Sequence, residues 1–284
     1  MKAVYSFWSK DSQANGYNTL KDFLVTFSLS MLITKKHFKD VELVTNTDGK
    51  RIFIDILDLP FTSVSTGSNR FNHLPKWMWG YAKLGACEYQ NEPFVHLDND
   101  VFLWDGLPDK LMKKKMFFQS VETPFKAGYG WYGPLLKFAN KCPNFPKIIK
   151  NNPVDYAYNC GIMGCNDPSI IKEWFKISTD WVLDKDNHKR IIENKDLLIH
   201  QNLLLEQYFI ASITKRMKLR PYTEIGLLLG TETILADCYK EGQRFTHLWG
   251  CTKKDQGLMN KVYKRLKSEF PIIYSRIISK VDSI

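Results

Sequence analysis

The chain has 284 residues, 44% of them hydrophobic and 14% aromatic. That is enough for one large α/β domain with a sizeable core, and it excludes a disordered or low-complexity protein. A net charge of +10 calls for an acidic partner such as nucleic acid, anionic lipid headgroups or a nucleotide diphosphate. Cys87, Cys142, Cys160, Cys165, Cys238 and Cys251 are scattered, with no Cys-x-x-Cys pair, which argues against a disulfide framework or a zinc cluster.

No apolar run approaches the ~20 residues that span a bilayer, and Met1 to Trp8 lacks the length and cleavage site of a signal peptide. The expectation is a cytoplasmic protein.

In chain order, residues 3–8 read as a first strand, followed by a polar loop. Residues 20–37 carry Leu20, Phe23, Leu24, Phe27 and Met31 at helical spacing. Residues 41–45 form a β-branched run closed by the turn signal Asn46-Thr47-Asp48-Gly49, and 51–57 read as another strand. Strand, helix, strand is the rhythm of a parallel α/β sheet. Residues 75–89 are expected to be helical and 94–97 a strand, with the next strand at 115–121. Gly128 to Gly133 is aromatic and glycine-rich, the composition of a lid, a sugar-stacking surface or a structural turn. Tyr156 to Gly164 reads as a strand whose glycines mark a bulge or a close approach to the backbone.

Residues 168–183 should be a helix, 184–196 a loop with a short helical turn, and 203–213 a buried helix carrying Glu206 and Gln207. A charge inside so apolar a run needs a partner or a chemical role. Residues 225–235 and 245–250 read as strands. Residues 258–278 read as a basic amphipathic helix interrupted at Pro271. No repeat or linker divides the chain. From Lys253 to Lys280 there are eight Lys/Arg against Asp255 and Glu269. This basic segment either packs on the domain as a solvated face or meets an anionic membrane. Nothing resembling a helix-turn-helix, zinc finger or RNA-binding motif accompanies it, which disfavours nucleic acid.

The chemistry concentrates at Pro93-Phe94-Val95-His96-Leu97-Asp98-Asn99-Asp100. In an extended chain Asp98 and Asp100 share a face and Asn99 points away. Two carboxylates converging at a strand end suit Mg²⁺ or Mn²⁺, although a solvated corner has the same composition. Their position matters, because α/β sheets bind ligands outside the carboxyl ends of strands, where the strand order reverses. His247 would complete a mixed oxygen and nitrogen site, and Lys253 would supply a cation for phosphate oxygens. Together they describe a metal-dependent transferase that uses a nucleotide-diphosphate donor.

Four places in order then resemble the retaining glycosyltransferases of family 8, which have the GT-A fold. His96-Leu97-Asp98-Asn99-Asp100 matches the Asp-x-Asp strand. Tyr81-Ala82-Lys83-Leu84 is similar to a helix segment whose basic residue contacts the donor, with Lys83 where Arg is usual. Tyr158 to Met163 looks like the Asn-Ala-Gly strand beneath the sugar, and Leu205-Glu206-Gln207 like an Asp-Gln pair. His247-Leu248-Trp249-Gly250-Cys251-Thr252-Lys253 fits the pattern His-x-x-Gly-x-x-Lys. The family's Pro-Trp after that Lys is replaced here by Lys254-Asp255, and Glu206 stands in place of Asp.

The resemblance implies a Rossmann-like, mostly parallel central sheet flanked by helices. It divides the chain into a single transferase domain over 1–255 and a basic C-terminal helical segment over 256–284. It implies Mn²⁺ or Mg²⁺ on Asp98, Asp100 and His247, and catalytic roles for Gln207, Glu206 and Asp100. Donor contacts would come from Tyr5, Ser6, Phe7, Lys83, Asp98, Asn99, Asn159, Gly161, Gly250 and Lys253. The donor would be a UDP-sugar, UDP-glucose or UDP-galactose, and the acceptor a saccharide, a lipid-linked sugar or a peptide. Two rivals remain at this point. A nucleotidyltransferase of related fold would carry a glycine-rich basic loop after the first strand, where 9–18 has only Gly16 and Lys10. A non-catalytic module would have no physical need for the whole ligand set.

Overall fold

In the computed structural model, which describes residues 1–9, 16–122, 132–198, 200–223, 225, 245–248 and 250–284, the first apolar run becomes β1 (Lys2–Ser6). Ala3 and Tyr5 join the core on one face of the sheet and Val4 the core on the other, as a period of two requires. Helix α1 (Leu20–Lys35) covers the first face. Its start is written locally: the Thr19 hydroxyl accepts from the Asp22 N–H, and the Asp22 carboxylate accepts from the Thr19 N–H.

Strands β2 (Val41–Val44) and β3 (Ser63–Ser65) extend the sheet from one edge of β1, while β4 (Phe94–Leu97) lies on its other edge. These four strands are parallel. After the short β5 (Val101–Phe102) come β6 (Met116–Glu122) and β7 (Ala157–Cys165), giving the order β3-β2-β1-β4-β7-β6. Among the described strands of this sheet, only β7 runs against the others. The expected mostly parallel sheet flanked by helices is therefore what the chain forms, and its order reverses between β1 and β4.

The second face is covered by α2 (Tyr81–Glu88), α3 (Tyr132–Ala139), α4 (Pro168–Val182), α5 (Lys185–Glu193) and α6 (Phe209–Arg216). Tyr81, Leu135, Trp174, Ile191 and Phe209 share one buried cluster with Val4, Phe94 and Phe118. Strand β8 (Thr246–His247) pairs antiparallel with β5 as a separate two-stranded sheet. At the C-terminal end, α7 (Gln256–Glu269) and α8 (Pro271–Lys280) break at Pro271, as expected, and pack on α1. Leu258, Met259, Val262, Leu266 and Ile277 are buried there, and the Tyr263 hydroxyl donates to Asp22 at 2.9 Å. Among the described residues no helix is long and apolar enough to cross a membrane.

Two readings need correction. Residues 51–57 are not a strand. The Asn46 side chain accepts from the Gly49 N–H and starts the short helix Thr47–Lys50, which continues into a π-helical turn, Arg51–Ile56. Ile52 and Phe53 reach the core from that turn, so the β-branched spacing is satisfied without a strand. The sheet's third strand comes later, in the short polar run Ser63–Ser65. Residues 184–196 are also largely helical, because the Asp184 carboxylate accepts from the Asp186 and Asn187 N–H groups and nucleates α5. The aromatic, glycine-rich stretch up to residue 131 and the strand expected beyond residue 225 lie outside the described residues.

Candidate active site

Asp98 and Asp100 follow β4 at the reversal point of the sheet. They do not converge by strand alternation. The Val101 N–H donates to the Asp98 carbonyl at 3.1 Å, so residues 98–101 form a turn that brings both carboxylates to one side. Beyond the turn, β5 pairs with β8 in a register that sets Val101 opposite His247, and the Leu248 N–H donates to the Asp100 carbonyl at 2.9 Å. Two residue pairs of β-ladder therefore join sequence positions nearly 150 residues apart. Asp98, Asp100 and His247 each offer one ligand atom, and these atoms all lie within 4.8 Å of one another.

The donor set fits a divalent cation. Asp100 Oδ1 and His247 Nε2 face each other at 3.5 Å. On its far side, His247 Nδ1 lies 2.9 Å from Gln119 Oε1, a carbonyl oxygen that can only accept. In the neutral ring this pairing suits a proton on Nδ1, which leaves the Nε2 lone pair facing a carboxylate. Two facing acceptors are satisfied by a cation between them. Carboxylate oxygens with one imidazole suit Mn²⁺ or Mg²⁺ better than a thiolate-seeking metal.

Lys253 arrives from the same direction. Gly250 has φ +58°, a left-handed conformation open to glycine without strain. From it the turn Gly250–Lys254 brings Lys253 Nζ to 2.7 Å from Asp100 Oδ2 and 5.5 Å above the Tyr17 ring. Burial would raise the Asp100 pKa, but the Lys253 ammonium works against it, and the carboxyl is held well below its usual range. Asp100 is thus an anion ready to bind a metal. Asp255, which departs from the family pattern, accepts from the Leu258 N–H at 2.7 Å and caps α7.

The two other departures touch each other. Lys83 Nζ bonds Glu206 Oε1 and lies 2.7 Å from Asp98 Oδ1, with the Lys83 and Glu206 side chains almost wholly buried. The two residues that depart from the pattern thus form one ion pair. Burial alone would lower the Lys83 pKa; Asp98 and Glu206 together hold it above the ordinary lysine range. Burial raises the Glu206 pKa, and Lys83, shared with Asp98, only partly offsets this. The Lys83 ammonium thus orients Asp98, and the Glu206 carboxylate is already engaged.

Glu206 and Gln207 sit on a π-helical turn, Leu204–Tyr208, the kind of helix irregularity that recurs at functional sites. The Tyr132 hydroxyl donates to Gln207 Oε1, and Asn159 Nδ2 donates to Glu122 Oε1 at 3.0 Å. Asn159 Oδ1 accepts from the Gly161 N–H at 2.9 Å. Gly161 itself approaches a side chain. A methyl group there would fall 2.4 Å from His247 Cε1 and 2.6 Å from Gln119 Oε1. Its carbonyl accepts from the Asp98 N–H at 2.9 Å.

Three expected donor contacts are placed elsewhere. Tyr5 is fully buried, bonded to Ser30 and Thr34 of α1 at 2.9 and 2.8 Å, and Phe7 stacks on Phe23. Ser6 Oγ meets His96 Nε2 at 2.9 Å. Their side chains thus belong to the interior, and the expected donor contacts do not come from these side chains. Asn99 is half-buried at the turn. Gln119, Glu122 and Tyr132 were missed as site residues. For Gln119, a glutamine directly after the apolar run Met116-Phe117-Phe118 was the available signal.

A family described as "Family of unknown function (DUF6734)" matches residues 1–280. The chain belongs to that family. No curated protein matches the DUF6734 chain. Among solved structures it is similar to the galactosyltransferase LgtC in complex with donor and acceptor sugar analogs, at 14% identity and TM-score 0.41, over 72% of this chain and 70% of that one. The glycosyltransferase GlyE of Streptococcus pneumoniae TIGR4 overlaps 99% of this chain and 63% of its own, at 10% identity and TM-score 0.47. Mouse xyloside xylosyltransferase 1 gives 9% identity and TM-score 0.35, over 79% of this chain and 78% of that one. These likenesses are distant, and the chemistry has to stand on the DUF6734 chain's own residues.

Proposed function

We propose that the protein is a metal-dependent glycosyltransferase that moves a hexose from a nucleotide-diphosphate sugar to a saccharide, lipid-linked or peptide acceptor. The donor is a UDP-sugar, UDP-glucose or UDP-galactose, and the reaction is retaining. The observation that carries this reading is the meeting of Asp98, Asp100, His247 and the Lys253 ammonium outside the carboxyl end of β4. Such a group suits a diphosphate, which needs its negative charge neutralised as it leaves. A bound Mn²⁺ or Mg²⁺ would supply Lewis-acid charge at the phosphate oxygens.

The chain's own residues do the rest. Lys253 presents an ammonium to the same diphosphate. Lys83 fixes the Asp98 carboxylate from behind. Gln207, held by Tyr132, and Asn159, held by Glu122, offer amide groups to sugar hydroxyls and the reacting carbon. Retention through the donor's own departing oxygen needs no strong general base. His96, the histidine nearest this cluster in sequence, is kept neutral by burial and by Lys83.

The test is a screen of UDP- and GDP-sugars for metal-dependent hydrolysis. Release of UDP from UDP-glucose or UDP-galactose with Mn²⁺, and none in chelator, is expected. Pyrophosphate release from a nucleoside triphosphate and a sugar phosphate would instead establish a nucleotidyltransferase. Tight donor binding with no turnover on any acceptor would make the chain a binding module.

The same reading includes an anionic membrane as a surface for a lipid-linked acceptor. Ile272, 72% exposed, stands on α8, and Lys264, Lys267 and Lys280 are exposed on the same helix pair. Deleting the pair would unroof α1, so substitution is the cleaner probe. Ile272→Asp with Lys264→Glu and Lys267→Glu should lose sedimentation with phosphatidylserine vesicles. Equal sedimentation of both proteins would end the membrane reading.

A further inference from the structure

We propose that Gln119 is the positioning residue of this centre. Its side-chain carbonyl holds His247 as the Nδ1–H tautomer and so keeps Nε2 free as a metal ligand. The inference rests on the metal reading above and adds a residue that sets which ring nitrogen is available.

A neutral imidazole has one donor nitrogen and one acceptor nitrogen, and the hydrogen bond at one nitrogen decides the role of the other. Two acceptors compete for the His247 proton. Gln119 Oε1 stands 2.9 Å from Nδ1, while Asp100 Oδ1 stands 3.5 Å from Nε2. The first is a good hydrogen-bond length and the second is long for one. If Asp100 won, its carboxylate and the ring would close on each other through Nε2–H, and no lone pair would remain for a cation. Gln119 prevents that.

The backbone is shaped for this contact. Pairing of β6 with β7 runs from Phe118 opposite Met163 to Ser120 opposite Asn159, so Gln119 alone faces residues 160–162. Such a bulge re-aims side chains beside active sites. Gly161 lies within it, and the space left by its missing side chain is filled by the His247 ring and the Gln119 amide. Gln119 is 1% exposed and directly follows three buried apolar residues of its strand. A polar amide is costly there unless it has a partner, and His247 is that partner.

The test uses the full chain with ¹⁵N-labelled histidine, first without metal. Long-range ¹H–¹⁵N spectra report the tautomer, with the His247 signals assigned by their loss in His247→Gln. Mn²⁺ affinity is then measured by calorimetry. Wild type should carry its proton on Nδ1. Gln119→Glu, which can only accept, should keep that tautomer and an affinity close to wild type. Gln119→Leu should move the proton to Nε2 and weaken Mn²⁺ about 10- to 100-fold, the usual effect of removing an outer partner of a metal-bound histidine.

A wild-type proton on Nε2, a Gln119→Glu variant that loses the Nδ1–H tautomer, or a Gln119→Leu variant that binds Mn²⁺ as tightly as wild type would overturn the assignment. Wild type that binds no Mn²⁺ would overturn the metal reading instead. The metal-free spectra separate the two failures, since they report the Gln119 hydrogen bond in either case.

Discussion

Replacing Asp100 with alanine is expected to abolish measurable Mn²⁺ binding and to cut donor turnover by about 10³-fold, roughly 4 kcal/mol of transition-state stabilisation. No other residue of the site has as many functions. One carboxylate oxygen faces His247, the other holds Lys253 at 2.7 Å, and the backbone carbonyl ties down the strand that carries His247. Alanine keeps the backbone bond and removes the charge, which leaves Lys253 without its carboxylate and His247 without its fellow ligand. Asp100→Asn, of the same shape but neutral, should be nearly as inactive, because charge is what the site requires. Calorimetry with Mn²⁺ and a UDP-release assay measure the two effects. Wild-type turnover by Asp100→Ala in the presence of metal would refute the proposed chemistry.

The second large effect is on stability. Lys83→Met should cost roughly 3–5 kcal/mol, because it leaves Glu206 buried with no cation, and breaking one partner of a buried pair is far costlier than replacing both. At a few degrees per kcal/mol the thermal midpoint should fall by on the order of 10 °C. The double variant Lys83→Met/Glu206→Leu should recover most of that loss, since two apolar side chains then fill the space. Thermal unfolding followed by circular dichroism compares the three proteins. If the single variant melts with wild type, the Lys83–Glu206 pair does not hold this part of the fold. Mn²⁺ affinity should also fall in the single variant, through Asp98, which Lys83 orients.

That pair also shows how sequence and structure divide the work. Read singly, Lys83 for Arg and Glu206 for Asp are two departures from a pattern, and each weakens it. In space they are one ion pair, the base and the acid facing each other with both side chains buried. Residue type is visible in a sequence; a contact across 123 residues is not. The sheet was legible for a simpler reason. Runs such as 94–97 and 157–165 carry their own periodicity, and a Thr or Asp cap is a local signal, as at Thr19. The misreadings at 51–57 and 184–196 were also local in origin. In both places a side-chain cap, at Asn46 and at Asp184, outweighed the pattern of the residues that followed it.

The residue types of the centre, Asp98, Asp100, His247 and Lys253, were determined by the sequence alone, because hard oxygen donors, an imidazole and an ammonium have few shared uses. Their meeting was decided by tertiary structure. A turn over 98–101 aims the two carboxylates, and a two-stranded ladder brings His247 to Asp100. Gln119 was decided the same way. Nothing in its neighbours names His247 as its partner, since the contact exists only where a bulge in one strand pair and a glycine without a side chain leave room for both. Composition fixes which chemistry is available to the chain, whereas the path of the backbone determines which groups come close enough to perform it.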